Sequence, residues 1–76
     1  MQVEILTPDT TLFSGDATVV TLPGTNGSFQ IMNNHAPIIA NLKPGTVEIK
    51  GSNNNDSFEI KGGLVEVVGN KVIVLV

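Results

Sequence analysis

The sequence predicts an all-β domain, a single flattened β-sandwich or barrel of roughly eight to ten short, mostly antiparallel strands. Three observations predict it. Apolar and polar residues alternate with a period of two. Turn signals recur at short intervals along the chain. No segment reads as a helix of ordinary length.

The first strand is QVEIL, in which Val3 and Ile5 alternate with Gln2 and Glu4. Further along, Val47 and Ile49 alternate with Thr46, Glu48 and Lys50, and Phe58 and Ile60 with Ser57, Glu59 and Lys61. Each is a half-buried strand with one wet face. Between them lie Thr7-Pro8-Asp9, Ser14-Gly15-Asp16, Pro23-Gly24, Asn26-Gly27, Pro44-Gly45, Gly62-Gly63 and Gly69-Asn70. Glycine and asparagine supply the positive φ of tight turns, and proline pre-sets a negative one. Gly69-Asn70, between LVEVV and KVIVL, predicts a two-residue hairpin. APIIANL at 36–42 is too short for a stable helix and lies among prolines, so it is read as extended. The run Asn53-Asn54-Asn55-Asp56 reads as an exposed hairpin tip.

Three segments depart from the one-wet-face rule. In 18–23, Val19 points opposite to Val20 and Leu22. In 64–68, Val65 and Val67 share one face, while Leu64 and Val68 share the other with Glu66. In 71–76, the run VIVLV is apolar on both faces. A two-layer domain offers a strand only one interior face. Strands apolar on both sides are therefore covered by a second layer or left for a protein partner.

Length and composition exclude several function classes. A chain of 76 residues supports one core, and such a domain buries only roughly 60% of its unfolded surface. It has no cysteine, hence neither a disulfide framework nor a thiolate metal site, and a partner protein becomes the obvious extra support. The net charge is −3, with no arginine, and Lys43, Lys50, Lys61 and Lys71 are scattered singly. That argues against nucleic acid, whose phosphates call for clustered cations. No apolar run spans a bilayer and no signal-peptide pattern opens the chain, so a soluble, cytoplasmic-side protein without membrane insertion is expected.

The residues offer little chemistry. His35 is the single imidazole, and none of Ser14, Ser28, Ser52 or Ser57 lies in a nucleophile-elbow context. No acid pair lies close to His35 in sequence to complete a zinc site. The stretch Gly24-Thr25-Asn26-Gly27-Ser28 lacks the Gly-Lys-Ser/Thr ending of a phosphate loop, and 53–56 lacks the alternating acids of a calcium loop. Neither catalytic, cofactor-binding nor metal-binding residues are assigned.

The order of segments nevertheless resembles a known family. Leu12-Phe13-Ser14-Gly15 is followed by Val20-Thr21-Leu22-Pro23-Gly24, Gly27 with Phe29, His35-Ala36-Pro37 and Leu42-Lys43-Pro44-Gly45. Gly62-Gly63-Leu64-Val65-Glu66-Val67 and Asn70-Lys71-Val72 complete the series. This series resembles the epsilon subunit of rotary ATP synthases, called delta in mitochondria, across essentially the whole chain. The resemblance implies the N-terminal β-sandwich of that subunit, spanning 1–76. It implies a non-catalytic rotor part, without cofactor, docked on the gamma subunit and on the polar loops of the c-ring. There it couples ion-driven rotation to ATP synthesis at the cytoplasmic face of the membrane, as a peripheral component.

Carried over by position, Gly27, Ser28 and Phe29 match the loop that meets the c-ring. Thr7, His35, Ala36, Pro37, Ile39 and Ala40 match the gamma-facing set. The chain departs from the family pattern at three places. Ser28 stands where an acid is common, Asn33-Asn34 where Pro-Gly is common, and Lys61 precedes Gly62-Gly63 where Ser is common. Asparagine tolerates the left-handed conformation, so the turn at 33–34 is expected to survive. Many members continue into a two-helix C-terminal hairpin that inhibits ATP hydrolysis. This chain stops at Val76, as an excised domain or a naturally short form, and no inhibitory function is expected of it.

Two other readings compete. One is a free-standing β-domain that binds another protein or a small ligand; the other is a hydrolase centred on His35 and Ser28. Under the docking reading, the domain in isolation is expected to be a monomer. The docking reading makes a specific demand: an exposed apolar patch formed by 35–39 with side chains of the last two strands, and a smaller separate site at Ser28 and Phe29.

Overall fold

Period-two alternation becomes nine strands in the computed structural model, which describes residues 1–76. They are β1 (Gln2–Leu6), β2 (Thr11–Asp16), β3 (Val19–Gly24), β4 (Gly27–Met32) and β5 (Ile38–Leu42). β6 (Gly45–Lys50), β7 (Asn55–Ile60), β8 (Gly63–Val68) and β9 (Lys71–Leu75) follow. There is no helix, and 36–42 contributes β5, as its proline-bounded sequence requires. Every pairing is antiparallel except β1 with β9, where the first and last strands run side by side.

Hydrogen bonding runs through one curled sheet in the order β2-β1-β9-β8-β5-β3-β6-β7, with β4 on β3. It folds over at a single weak link. β5 meets β3 only at Gly24↔Leu42, whereas β4 pairs β3 along its whole length. The result is two layers, β2-β1-β9-β8-β5 against β4-β3-β6-β7. The fold-over corner is reinforced by Lys43 N donating to Pro23 O (2.8 Å) and Thr25 N to Asn41 O (3.1 Å).

The core is what the alternation demands. Val3, Ile5, Val65, Val67, Val72 and Val74 from the first layer pack with Val20, Leu22, Ile31, Val47, Ile49 and Ile60 from the second. Met1, Ala17 and Leu42 complete the cluster, and no polar side chain is buried in it. Each such aliphatic side chain contributes about 1.5–3 kcal/mol relative to exposure, so this row of valines and isoleucines is the main stabilising force.

Turn chemistry follows the sequence closely. Gly69 adopts φ +60° in the two-residue β8–β9 hairpin. Asn34 is the single non-glycine residue at positive φ (+62°), the left-handed conformation that the sequence expects asparagine to tolerate at the 33–34 turn. The asparagine-rich tip is the turn 51–54, with Asn55 and Asp56 already in β7. Gly51 N closes it on Asn54 O at 2.8 Å.

Registers divide the connections between two ends of the sandwich. Turns 7–10, 25–26, 43–44 and 61–62 lie at one end; 17–18, 33–37, 51–54 and 69–70 lie at the other. At the second end the Met1 ammonium donates to Ala17 O (2.9 Å) and Asn33 Oδ1 (2.8 Å), with exposed Asp16 at 3.2 Å.

Candidate functional site

Strand geometry turns alternate residues outward, and on the first layer those residues are apolar. Register assembles two rows across the outer face. One is Ile39-Glu66-Ile73-Glu4-Ser14, and the next is Asn41-Leu64-Leu75-Leu6-Thr11. Val68 lies opposite Lys71 in the adjoining row. Ile39 is 68% exposed, Val68 59% and Leu75 45%, against half-buried Leu64, Ile73 and Leu6. These are the outward halves of the strands that the sequence marks as apolar on both sides. Single exposed aliphatics are ordinary, but a contiguous set on three neighbouring strands marks an interaction surface.

The charges on this face are few. Glu4 faces Lys71 Nζ at 3.6 Å. Glu66 is half-buried, and neither an ion pair nor a side-chain hydrogen bond engages it.

The outer face of the second layer is of a different kind. Thr21, Gln30, Glu48, Lys50 and Ser57 surround a shallow depression of about 530 Å³. Gln30 Nε2 donates to Thr21 Oγ1 (3.3 Å), and nearby Thr46 Oγ1 donates to Glu59 Oε1 (2.8 Å). Only Val19 and Met32, paired across β3 and β4, add apolar surface there.

The structure scatters the residues matched to the gamma-facing set. Thr7 caps the 7–10 turn through Oγ1, which accepts from Thr10 N at 2.9 Å, at the end of the sandwich opposite His35. His35 is half-buried and its Nδ1–H donates to Ala36 O at 2.8 Å; Ala36 and Pro37 are exposed beside it. Ile39 stands on the apolar outer face, whereas Ala40 turns inward against the core. Leu64, Val68, Ile73 and Leu75, which complete the patch, belong to the last two strands, and their both-sides-apolar pattern is the signal that finds them.

The second set, Gly27, Ser28 and Phe29, is not a loop. These residues open β4 and pair with Gly24, Pro23 and Leu22, and the turn itself is Thr25-Asn26. Gly27 and Ser28 are exposed, but Phe29 packs on the core because alternation turns it inward. Ser28 lies near the start of β4 and His35 in the 33–37 turn beyond its other end; the four steps from Ser28 to Met32 alone, at about 3.4 Å each, span roughly 14 Å. They cannot form a nucleophile–base pair, which removes the hydrolase arrangement considered from sequence.

Comparison with known proteins agrees with this architecture. The family model described as ATP synthase, Delta/Epsilon chain, beta-sandwich domain matches residues 1–76. An ATP synthase epsilon chain from Chlorobium limicola is 49% identical over 75 residues, covering 97% of this chain and 85% of that protein. The Chlorobaculum tepidum epsilon chain is 47% identical, covering 95% and 83%. The Campylobacter fetus epsilon chain is 42% identical over all of this chain, which spans 60% of it. Among solved structures, the Tetrahymena thermophila mitochondrial ATP synthase central stalk/c-ring aligns with a TM-score of 0.83 at 23% identity, covering 97% of this chain and 60% of that one. A chain of the Euglena gracilis mitochondrial ATP synthase aligns with a TM-score of 0.88 at 18% identity, covering 96% and 48%. At those identities the structural likeness speaks for the fold, and the family match with the bacterial relatives carries the assignment. The chain belongs to the delta/epsilon-chain β-sandwich family of ATP synthases.

Proposed function

We propose that this domain is a non-catalytic part of the ATP synthase central stalk, docking the gamma subunit to the c-ring and turning with them as ions drive rotation. The observation that carries the reading is the outer face of β5, β8 and β9, where three of the five exposed large aliphatic or thioether side chains, Ile39, Val68 and Leu75, stand on neighbouring strands. This face is assigned to gamma. The end bearing Gly27 and Ser28 is assigned to the polar c-ring loops, which suits its exposed, polar character. A stiff two-layer body with separate docking sites meets the mechanical need of a rotor element, since torque passes only through parts that do not yield. Residues 1–76 then form the subunit's N-terminal β-domain, held peripherally at the cytoplasmic face of the membrane.

Mixing the chain with the complex's gamma subunit tests the proposal. The expected result is co-elution on size exclusion, with amide-exchange protection gained on β5, β8 and β9. Unchanged elution together with unchanged exchange would overturn it. Replacing His35 with Ala is expected to leave no hydrolytic activity to lose.

A further inference from the structure

Glu66 stands at the centre of the apolar face. Its cross-strand neighbours are Ile39 on β5 and Ile73 on β9, and its same-face neighbours along β8 are Leu64 and Val68. All four are aliphatic. Glu66 is half-buried and pairs with no cation: Lys71, its diagonal neighbour on β9, reaches the other way to Glu4 at 3.6 Å. A carboxylate in this setting is tolerable while water reaches it. Once a partner covers the face, the water goes and the charge stays. Covering it with aliphatic groups alone would bury an uncompensated charge, which is strongly unfavourable.

Resting on the docking reading above, we infer that the partner bound at this face carries a basic side chain, flanked by apolar ones, that seats over Glu66. Its apolar surroundings meet Ile39, Ile73, Leu64 and Val68, and its cation meets the carboxylate at the centre. The ion pair then sits within a water-excluding apolar ring, the arrangement in which charge pairs matter most for orientation and partner choice. Glu66 would fix the rotational register of the domain on its partner, which apolar contacts alone do poorly because they are non-directional. The partner face is therefore positive at one point and apolar around it, and a uniformly apolar face is rejected.

Replacement of Glu66 gives opposite signs under the two alternatives. Binding of the full chain to the gamma subunit is measured by calorimetric titration at low and moderate salt, for wild type, Glu66→Gln, Glu66→Leu and Ile39→Thr. The inference expects both Glu66 variants to bind more weakly by roughly tenfold or more. It also expects the salt dependence of binding to flatten in both, because salt no longer screens an attraction between two solvated charges that must meet on association. Glu66→Leu binding as tightly as wild type or more tightly, while Ile39→Thr binds more weakly, would overturn the inference and leave the docking face standing. Wild-type affinity in Ile39→Thr would overturn both. Should Glu66→Leu fail to fold, the near-isosteric Glu66→Gln decides alone.

Discussion

Phe13 of β2 and Phe58 of β7 meet edge to face, with ring centroids 5.9 Å apart and planes at 66°. The two strands end the pairing order, one in each layer, so this contact closes the side of the sandwich opposite the Gly24–Leu42 corner. No backbone ladder joins β2 to β7, and the rings take its place. Removing either ring is expected to cost about 2–4 kcal/mol, somewhat below a fully buried phenylalanine because both are half-exposed. A double-mutant cycle of Phe13→Ala and Phe58→Ala, followed by urea unfolding, should give a coupling of about 0.5–1.5 kcal/mol. Simple additivity would show that the two edges are held independently.

The ammonium of Met1 is satisfied by Ala17 O and Asn33 Oδ1. Asn33→Ala leaves a buried cation short of one acceptor, at an expected cost of about 1–3 kcal/mol in denaturant unfolding. Asn33→Asp keeps the acceptor and should recover most of it.

Asn34 pays no large penalty for its left-handed backbone, but a β-branched residue would. Asn34→Val is expected to destabilise by about 1–2 kcal/mol and Asn34→Gly to stay within about 0.5 kcal/mol of wild type, read as a shift in urea midpoint. Equal losses in both would place the role of Asn34 in its side chain rather than its φ angle.

Gly63 has φ +152°, and a methyl group there would collide with the Leu75 carbonyl oxygen. Leu75 is backbone of the adjacent strand and cannot move aside without opening the β8–β9 pairing. Gly63→Ala should therefore destabilise by about 2 kcal/mol or more and loosen amide protection along β9.

Val68 and Leu75 are exposed on the outer face and lie outside the core cluster. Val68→Thr with Leu75→Thr is expected to leave unfolding free energy within about 1 kcal/mol of wild type, while weakening association with gamma. Loss of folding instead would mean that this face stabilises the isolated domain.

Much of this architecture was legible in the residues. The inward residues Val3, Ile5, Val47 and Ile49 are readable from period-two alternation, since a one-residue slip would expose them; in β8 and β9, apolar on both faces, only the structure shows that Val65, Val67, Val72 and Val74 are the inward ones. The hairpin at Gly69-Asn70 and the survival of the 33–34 turn follow from local φ preferences. Phe29 shows where such reading stops. Position matched it to a partner-facing loop, but alternation within β4, visible only once its pairing with β3 is known, turns the ring into the core.

Residues read one strand at a time specify an all-β sandwich, the inward face of the strands with one wet side (β1, β6 and β7), the turns, and the fact that the last two strands carry more apolar surface than one interior can hold. Those features are local: they depend on alternation, chain stiffness and turn chemistry among near neighbours. Tertiary structure alone decided that Ile39, Leu64, Val68, Ile73 and Leu75 join into one patch around Glu66, and that Thr7 and His35 lie at opposite ends. The physical reason is register. Residues as far apart in the chain as Ile39 and Glu66 become neighbours only through hydrogen-bonded pairing between strands, and no single strand's pattern specifies which strand will lie beside it.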